Sequence, residues 1–226
     1  MNNIKNKSKI IDLTWPLSES STVYPGDSVV KIYEESSISE NGFATTRVSF
    51  NNHTGTHIDY PSHFFADGLT SSNFNIQEMY DLETLILDFS SDTEKTRISA
   101  DDISMKIENR RLNHFRAVIF KTKSCEINIS NSTYTDDYTA LDIEAAKLVI
   151  ERFPNIGFVG IDYLSIDLPL CDDLSVHKMF LKSDICILTG LKLDEIEFES
   201  CQISISPLRM ENANGAPIRC IARRYS

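Results

Sequence analysis

Asn51-Asn52-His53-Thr54-Gly55-Thr56-His57-Ile58-Asp59-Tyr60-Pro61-Ser62-His63-Phe64-Phe65 places three of the chain's five histidines and one carboxylate within eleven positions. His53, His57, Asp59 and His63 all fall on odd numbers, which share one face of a flat strand. At about 3.3 Å of rise per residue, His57 and Asp59 stand roughly 6.6 Å apart and can share one ion. By the same rise His53 stands roughly 13 Å from His57, parallel to it and not convergent, so a plain strand cannot bring all three together. A helix would align His53 with His57, but Gly55 and the β-branched Thr54, Thr56 and Ile58 oppose it. The spacing therefore predicts a loop or bulge hinged at Gly55 that runs into a short extended piece, ended by Pro61.

Two imidazoles and a carboxylate (His53, His57, Asp59) suit Zn²⁺, with Mn²⁺ or Fe²⁺ as alternatives. Three protein ligands leave a position open, as in a catalytic and not a closed structural site. An ion so held lowers the pKa of bound water to about 7. His63, just beyond the three, is placed to act as general acid or base.

The run H-T-G-T-H-I-D-Y-P-S-H resembles the H-x-G-T-H-x-D-x-P-x-H signature of the metal-dependent cyclase hydrolases. That family includes bacterial kynurenine formamidase and isatin hydrolase. Strand-rich halves with few helices suggest an α/β or α+β sandwich, and the resemblance implies the swivelling β/β/α type, a central barrel-like mixed sheet flanked by a few helices. It implies hydrolysis of a small amide, an aryl formamide such as N-formylkynurenine first, with cyclic amide or lactone hydrolysis or a cyclase or dehydratase reaction as alternatives. Metal binding without catalysis is the reading from another class. It also implies a homodimer or homotetramer. A P-G-D turn lies near the substrate pocket in the family, which gives Tyr24 or Asp27 of Tyr24-Pro25-Gly26-Asp27 a pocket role. The segment GIDYLSID, with Asp162, Ser165 and Asp167, resembles the family as well.

In kynurenine formamidases a second metal is held by a histidine, a glutamate twelve residues later and the bridging motif aspartate. The histidine here is His177, and the position twelve further on is Thr189. A hydroxyl adds no negative charge and is a poor zinc ligand. One tight ion is therefore expected. His177 becomes a weak second-site ligand or a hydrogen-bond donor to substrate, and Thr189 a substrate-side residue. Isatin hydrolase resembles this single-ion arrangement. Arg209 or Arg219 is a candidate to pair with a substrate carboxylate, with a surface ion pair as the favoured reading for each.

Composition narrows the class. At 41% hydrophobic and 24% charged the 226 residues read as one soluble globular domain. Acidic residues outnumber basic ones 33 to 22, a net −11 that disfavours nonspecific nucleic-acid binding. No apolar run is long enough to span a membrane, and MNNIKNKSKI lacks the apolar core of a secretory signal. Five scattered cysteines without a C-x-x-C suit reduced thiols and a cytoplasmic location.

Outward from the motif, residues 1–8 read as a frayed tail and Lys9 to Leu13 as a strand. Val29 to Glu35 and Ala44 to Asn51 read as strands, the second feeding the metal loop, and Phe74 to Tyr80 as one helical turn. Apolar runs at Thr84 to Phe89, Ala117 to Lys121, Gly157 to Tyr163 and Asp184 to Leu191 read as further strands. Ser99 to Asp102 reads as a capping box starting a helix through Asn109. Thr139 is expected to cap a helix from Leu141 to Phe153, and Asp172 to Leu181 to form a short helix carrying His177. Gly215-Ala216-Pro217 is expected to turn into a last strand, Ile218 to Arg223. His114 is assigned to a helix end. The polar stretch Lys123 to Tyr138 has no period and is long enough to be a functional loop.

Overall fold

The computed structural model describes residues 9–171 and 173–224, so the expected tail at 1–8 lies outside the described residues. In chain order the strands are β1 (Lys9–Asp12), β2 (Lys31–Ser36), β3 (Thr45–Ser49), β4 (His57–Asp59), β5 (Leu82–Asp88), β6 (Arg97–Ile98), β7 (Ala117–Lys121), β8 (Ala140–Leu141), β9 (Phe158–Ile161), β10 (Cys186–Thr189), β11 (Ser200–Pro207) and β12 (Gly215–Arg224). The helices are α1 (Ile38–Asn41), α2 (Ala100–Ile107), α3 (Ile143–Arg152) and α4 (Ser175–Lys182).

The near-continuous apolar runs become parallel strands buried on both faces, as such runs do. β5, β7, β9 and β10 lie side by side in parallel. Antiparallel β4 pairs with β10 on one edge and with Gly215–Pro217 of β12 on the other. Since β12 also pairs with β11, and β11 with β5, the sheet closes into a ring of seven strands. This is the mixed, barrel-like sheet with flanking helices that the resemblance implies. The short β4 is the strand that closes it, and β4 is also the strand that carries His57 and Asp59.

Side chains alternate between two cores. Leu85, Leu87, Val118, Phe120, Val159, Ile161 and Ile187 face outward against Ile103 and Ile107 of α2, Ala145 and Val149 of α3, and Phe180 of α4. Ile86, Ile119, Leu188, Ile58, Ile203 and Ile205 fill the inside. Ile119 and Ile58 are fully buried, so truncating either to alanine removes about 2–5 kcal/mol.

Several local expectations meet their outcome here. Gly26 takes φ +96° and Asp27 N–H donates to Tyr24 O at 3.0 Å, the type II turn expected of Pro-Gly. Ser99 and Asp102 form the capping box of α2. Thr139 does not cap α3: Asp142 does, accepting Ala145 N–H at 2.8 Å, while Thr139 donates to Lys95 O. The cap shifts because Ala140 and Leu141 form β8 against β6. Gly215-Ala216-Pro217 is no turn but the start of β12. Pro217 has no N–H to give, but its carbonyl still joins the strand by accepting Leu208 N–H at 2.9 Å. His114 lies beyond the end of α2, its ring against Phe115, so it has no helix-end role. All five cysteines are free thiols, and no helix among the described residues is long and apolar enough to cross a membrane.

Candidate metal centre

His57 and Asp59 share one face of β4, two residues apart, with His57 Nε2 3.3 Å from Asp59 Oδ1. Gly55 adopts φ +67°, the left-handed conformation that glycine enters without penalty. The chain folds back there, and His53 Nδ1 reaches 2.6 Å from the same Asp59 oxygen. The hinge is held from β10. Gly190 also takes a positive φ, and a Cβ on it would come within 2.8 Å of Gly55 O. Thr56 Oγ1 donates to Gly190 O at 2.6 Å and accepts Trp15 N–H at 3.0 Å.

Nitrogen and oxygen atoms of His53, His57 and Asp59 all lie within 4.8 Å of one another. Burial of Asp59 works against its charge, but the His57 and His53 imidazoles outweigh it and hold the carboxyl well below its usual range. For His53, burial opposes the charged ring, yet the Asp59 hydrogen bond carries the balance upward.

His177 approaches from α4, with Nε2 3.7 Å from the other oxygen of Asp59, Oδ2. Its placement is the work of Asp167, to which sequence reasoning assigned no role. Asp167 accepts Val176 N–H at 2.7 Å and His177 N–H at 3.0 Å, and pairs with His177 Nδ1. It supplies the cap that Leu174, with φ +46° and no capping side chain, cannot. No clear signal in the sequence pointed to it, because Asp172, Asp173 and Ser175 stand closer to the helix start and are of the residue types that cap.

The donor set fits a cation. The hydrogen-bond network assigns the ring protons of two histidines. His57 Nδ1–H meets Gly55 O at 2.9 Å and His177 Nδ1–H meets Asp167, so each turns a bare Nε2 toward Asp59. A metal-ligating histidine ordinarily donates its other ring N–H to a carbonyl or carboxylate in this way. Thr189 is fully buried in register with His57 across the β10–β4 ladder. Its hydroxyl lies 3.0 Å from Nε2 and 3.1 Å from Nδ1 of His57. Near-equal distances put it over the ring, not in line with either nitrogen. Thr189 does not line the cavity.

That cavity has a volume of about 470 Å³. His53, His57, His63, His177 and Asp59 stand along it; Tyr24, Phe64, Leu164 and Leu174 form an aromatic and apolar wall. His63 follows the short turn Pro61–His63, and its ring stacks on His53 with centroids 4.0 Å apart. Its surroundings are dense enough to push its imidazole down to about 4, although the side chain still reaches solvent. Tyr24 and Asp27 both line the cavity. The Tyr24 ring meets Tyr134 edge-on at 5.6 Å, so the 123–138 stretch backs the wall. Tyr138 in the same stretch donates to Asp167 O at 3.1 Å. Among the described residues no arginine or lysine lines the cavity. Arg219 is engaged with exposed Asp12 at 2.6 Å, the surface ion pair that is its favoured reading, and Arg209 lies in a different groove, so neither lines this cavity as a carboxylate partner.

The Cyclase family model matches residues 11–168. This chain belongs to that family. Among its relatives are a kynurenine formamidase of Bacillus anthracis, 29% identical over 96% of this chain and 98% of that one, and a kynurenine formamidase of Bacillus mycoides, 30% identical over the same shares. In fold this cyclase-family chain is similar to isatin hydrolase A from Labrenzia aggregata, with a TM-score of 0.84 at 20% identity over 97% of this chain and 94% of that one. It is similar as well to a structure described as a potential metal-dependent hydrolase with cyclase activity, with a TM-score of 0.79 at 24% identity over 97% and 99%.

Proposed function

We propose that this cyclase-family protein hydrolyses a small amide with a divalent metal, Zn²⁺ first and Mn²⁺ as the alternative, and that an aryl formamide such as N-formylkynurenine is its substrate. The observation that carries the reading is the convergence of His53, His57 and Asp59 beside His63 in one cavity with an aromatic wall. The kynurenine formamidase relatives support the substrate class, and would place the enzyme in tryptophan catabolism.

An ion held by His53, His57 and Asp59 would polarise the amide carbonyl and activate water for attack. Tyr24 and Phe64 offer faces for the aryl ring. His63, neutral at physiological pH because packing depresses it, takes the proton released as water adds to the carbonyl carbon. It returns that proton to the nitrogen as the C–N bond breaks, so the acid and the free amine leave. Asp27, its Oδ1 fixed by Asn51 Nδ2 at 3.1 Å, pairs with an ammonium on the substrate. Thr189 brings no charge to the second position, so one ion binds tightly and His177, its Nδ1–H held by Asp167 and its Nε2 bare, is a weak second-site ligand and not a donor to substrate.

A second reading, hydrolysis of a cyclic amide as in isatin hydrolase, is favoured by a cavity lining that, among the described residues, has no arginine or lysine to take a substrate carboxylate. A substrate panel with Zn²⁺ and with Mn²⁺ decides between them. Turnover of formylkynurenine supports the first; turnover of isatin alone overturns it; metal binding without any turnover favours a non-catalytic protein. We propose a cytoplasmic location and a homodimer or homotetramer. The exposed side chains of Ile32, Tyr33 and Val48 on the β2–β3 hairpin are a surface available for self-association, and mass measurement in solution tests it.

A further inference from the structure

We infer that Asn52 and Asn214 are positioning residues that keep a proton on His53 Nε2 and so turn His53 Nδ1 toward the metal centre. This rests on the reading of His53 as a ligand. His53 differs from His57 and His177 in that neither of its ring nitrogens meets a backbone carbonyl or a buried carboxylate other than Asp59. Its Nε2 lies 3.2 Å from Asn214 Oδ1, and its Nδ1 2.6 Å from Asp59 Oδ1.

The orientation of the Asn214 amide follows from a chain of acceptors. Gly215 O can only accept, and it lies 3.1 Å from Asn52 Nδ2, so Asn52 presents its amino group on this side. The same amino group lies 2.6 Å from the Asn214 side chain, which must therefore turn its oxygen inward. An amide oxygen accepts only, so His53 Nε2 carries the hydrogen. In the neutral ring Nδ1 is then bare and faces a carboxylate oxygen. Two acceptors that close require a positive charge between them, which a proton or a metal ion supplies. Gly215 braces the same ring: a Cβ there would lie 2.3 Å from His53 Cε1. The Asn214–Gly215 step thus holds both the protonation and the plane of His53 from the start of β12, far in sequence from the histidine motif.

The test uses the full chain with histidine labelled in ¹⁵N, metal-free and loaded with Zn²⁺, with zinc affinity read by competition against a chromophoric chelator. Wild type is expected to show a hydrogen on His53 Nε2 in both states. Asn214→Ala should lose that hydrogen-bonded signal and bind zinc about tenfold more weakly, the low end of what outer-shell changes cost because water reaches Asn214. Asn214→Asp, which keeps the acceptor, should restore both, and the melting temperature of the metal-free protein should move little. Asn52→Ala, whose side chain bonds to Asn214 and Gly215 and not to the His53 ring, should show a smaller loss in the same direction and serves if Asn214→Ala does not fold. A bare Nε2 in wild type, or zinc affinity in Asn214→Ala within twofold of wild type, overturns the inference. If wild type binds no zinc while the Nε2 signal depends on Asn214, the metal reading fails and the positioning role stands.

Discussion

Thr189 lies over the ring of His57, its hydroxyl 3.0 and 3.1 Å from the two ring nitrogens, at matched positions of antiparallel strands. A carboxylate at this position would lie close to Asp59 and attract a second cation. Thr189→Glu is therefore expected to raise bound Zn²⁺ or Mn²⁺ from one equivalent per chain to two, measured by elemental analysis after dialysis. Without metal the new buried charge is uncompensated, and the variant should lose about 3 kcal/mol or more of stability, recovered on adding the ion. Two tightly held equivalents in wild type would contradict this account of Thr189.

His63 touches the ring of His53 but lies outside the close donor set. Replacing it should separate catalysis from metal binding. His63→Ala is expected to retain its metal and to lose about 10²–10⁴-fold in kcat/KM, the usual worth of a proton-transferring side chain. Because packing sets its imidazole near 4, the rate should not fall on its account at pH values well above that. Unchanged turnover in this variant would remove His63 from the mechanism.

The histidine motif was legible because its requirements are local. Gly55 had to bend the chain, and the His57–Asp59 spacing already put two groups on one face of β4. The parallel strands were legible as apolar runs such as Ala117–Lys121, whose bounds the structure reproduces. What the sequence hid depends on distant pairing. Asn214 and Gly215 reach His53 only because β12 closes the barrel against β4. Asp167 acts on His177 through a cap made from well before the helix. Thr139 looked like a cap, but tertiary pairing of β8 with β6 moved that role to Asp142.

Asp27 distinguishes the two substrate readings. It lines the cavity and is oriented by Asn51, and among the described residues no arginine or lysine lines the cavity to compete for it. A charge-assisted hydrogen bond to a substrate ammonium is worth about 1.5–3 kcal/mol. Asp27→Asn should raise KM for an ammonium-bearing aryl formamide by about 10- to 100-fold with kcat little changed, and should leave KM for a neutral cyclic amide where it is. Equal shifts for both substrates would assign Asp27 to the turn alone.

Asp162, in the segment that follows β9, is fully buried, and burial pushes its carboxyl from 3.8 up to about 7 against two opposing hydrogen bonds from Thr122, N–H at 2.5 Å and O–H at 2.7 Å. A carboxyl raised on folding binds its proton more tightly in the native state. Its contribution is complete below 3.8 and is lost as pH climbs to about 7. The loss amounts to at most about 4 kcal/mol. Asp162→Asn retains an acceptor for the Thr122 N–H and has no charge to bury. Urea unfolding of the metal-free proteins across this range should show the variant gaining on wild type as pH rises, with the difference levelling off above 7. Curves that stay parallel throughout would mean that Asp162 titrates alike in the folded and unfolded chains.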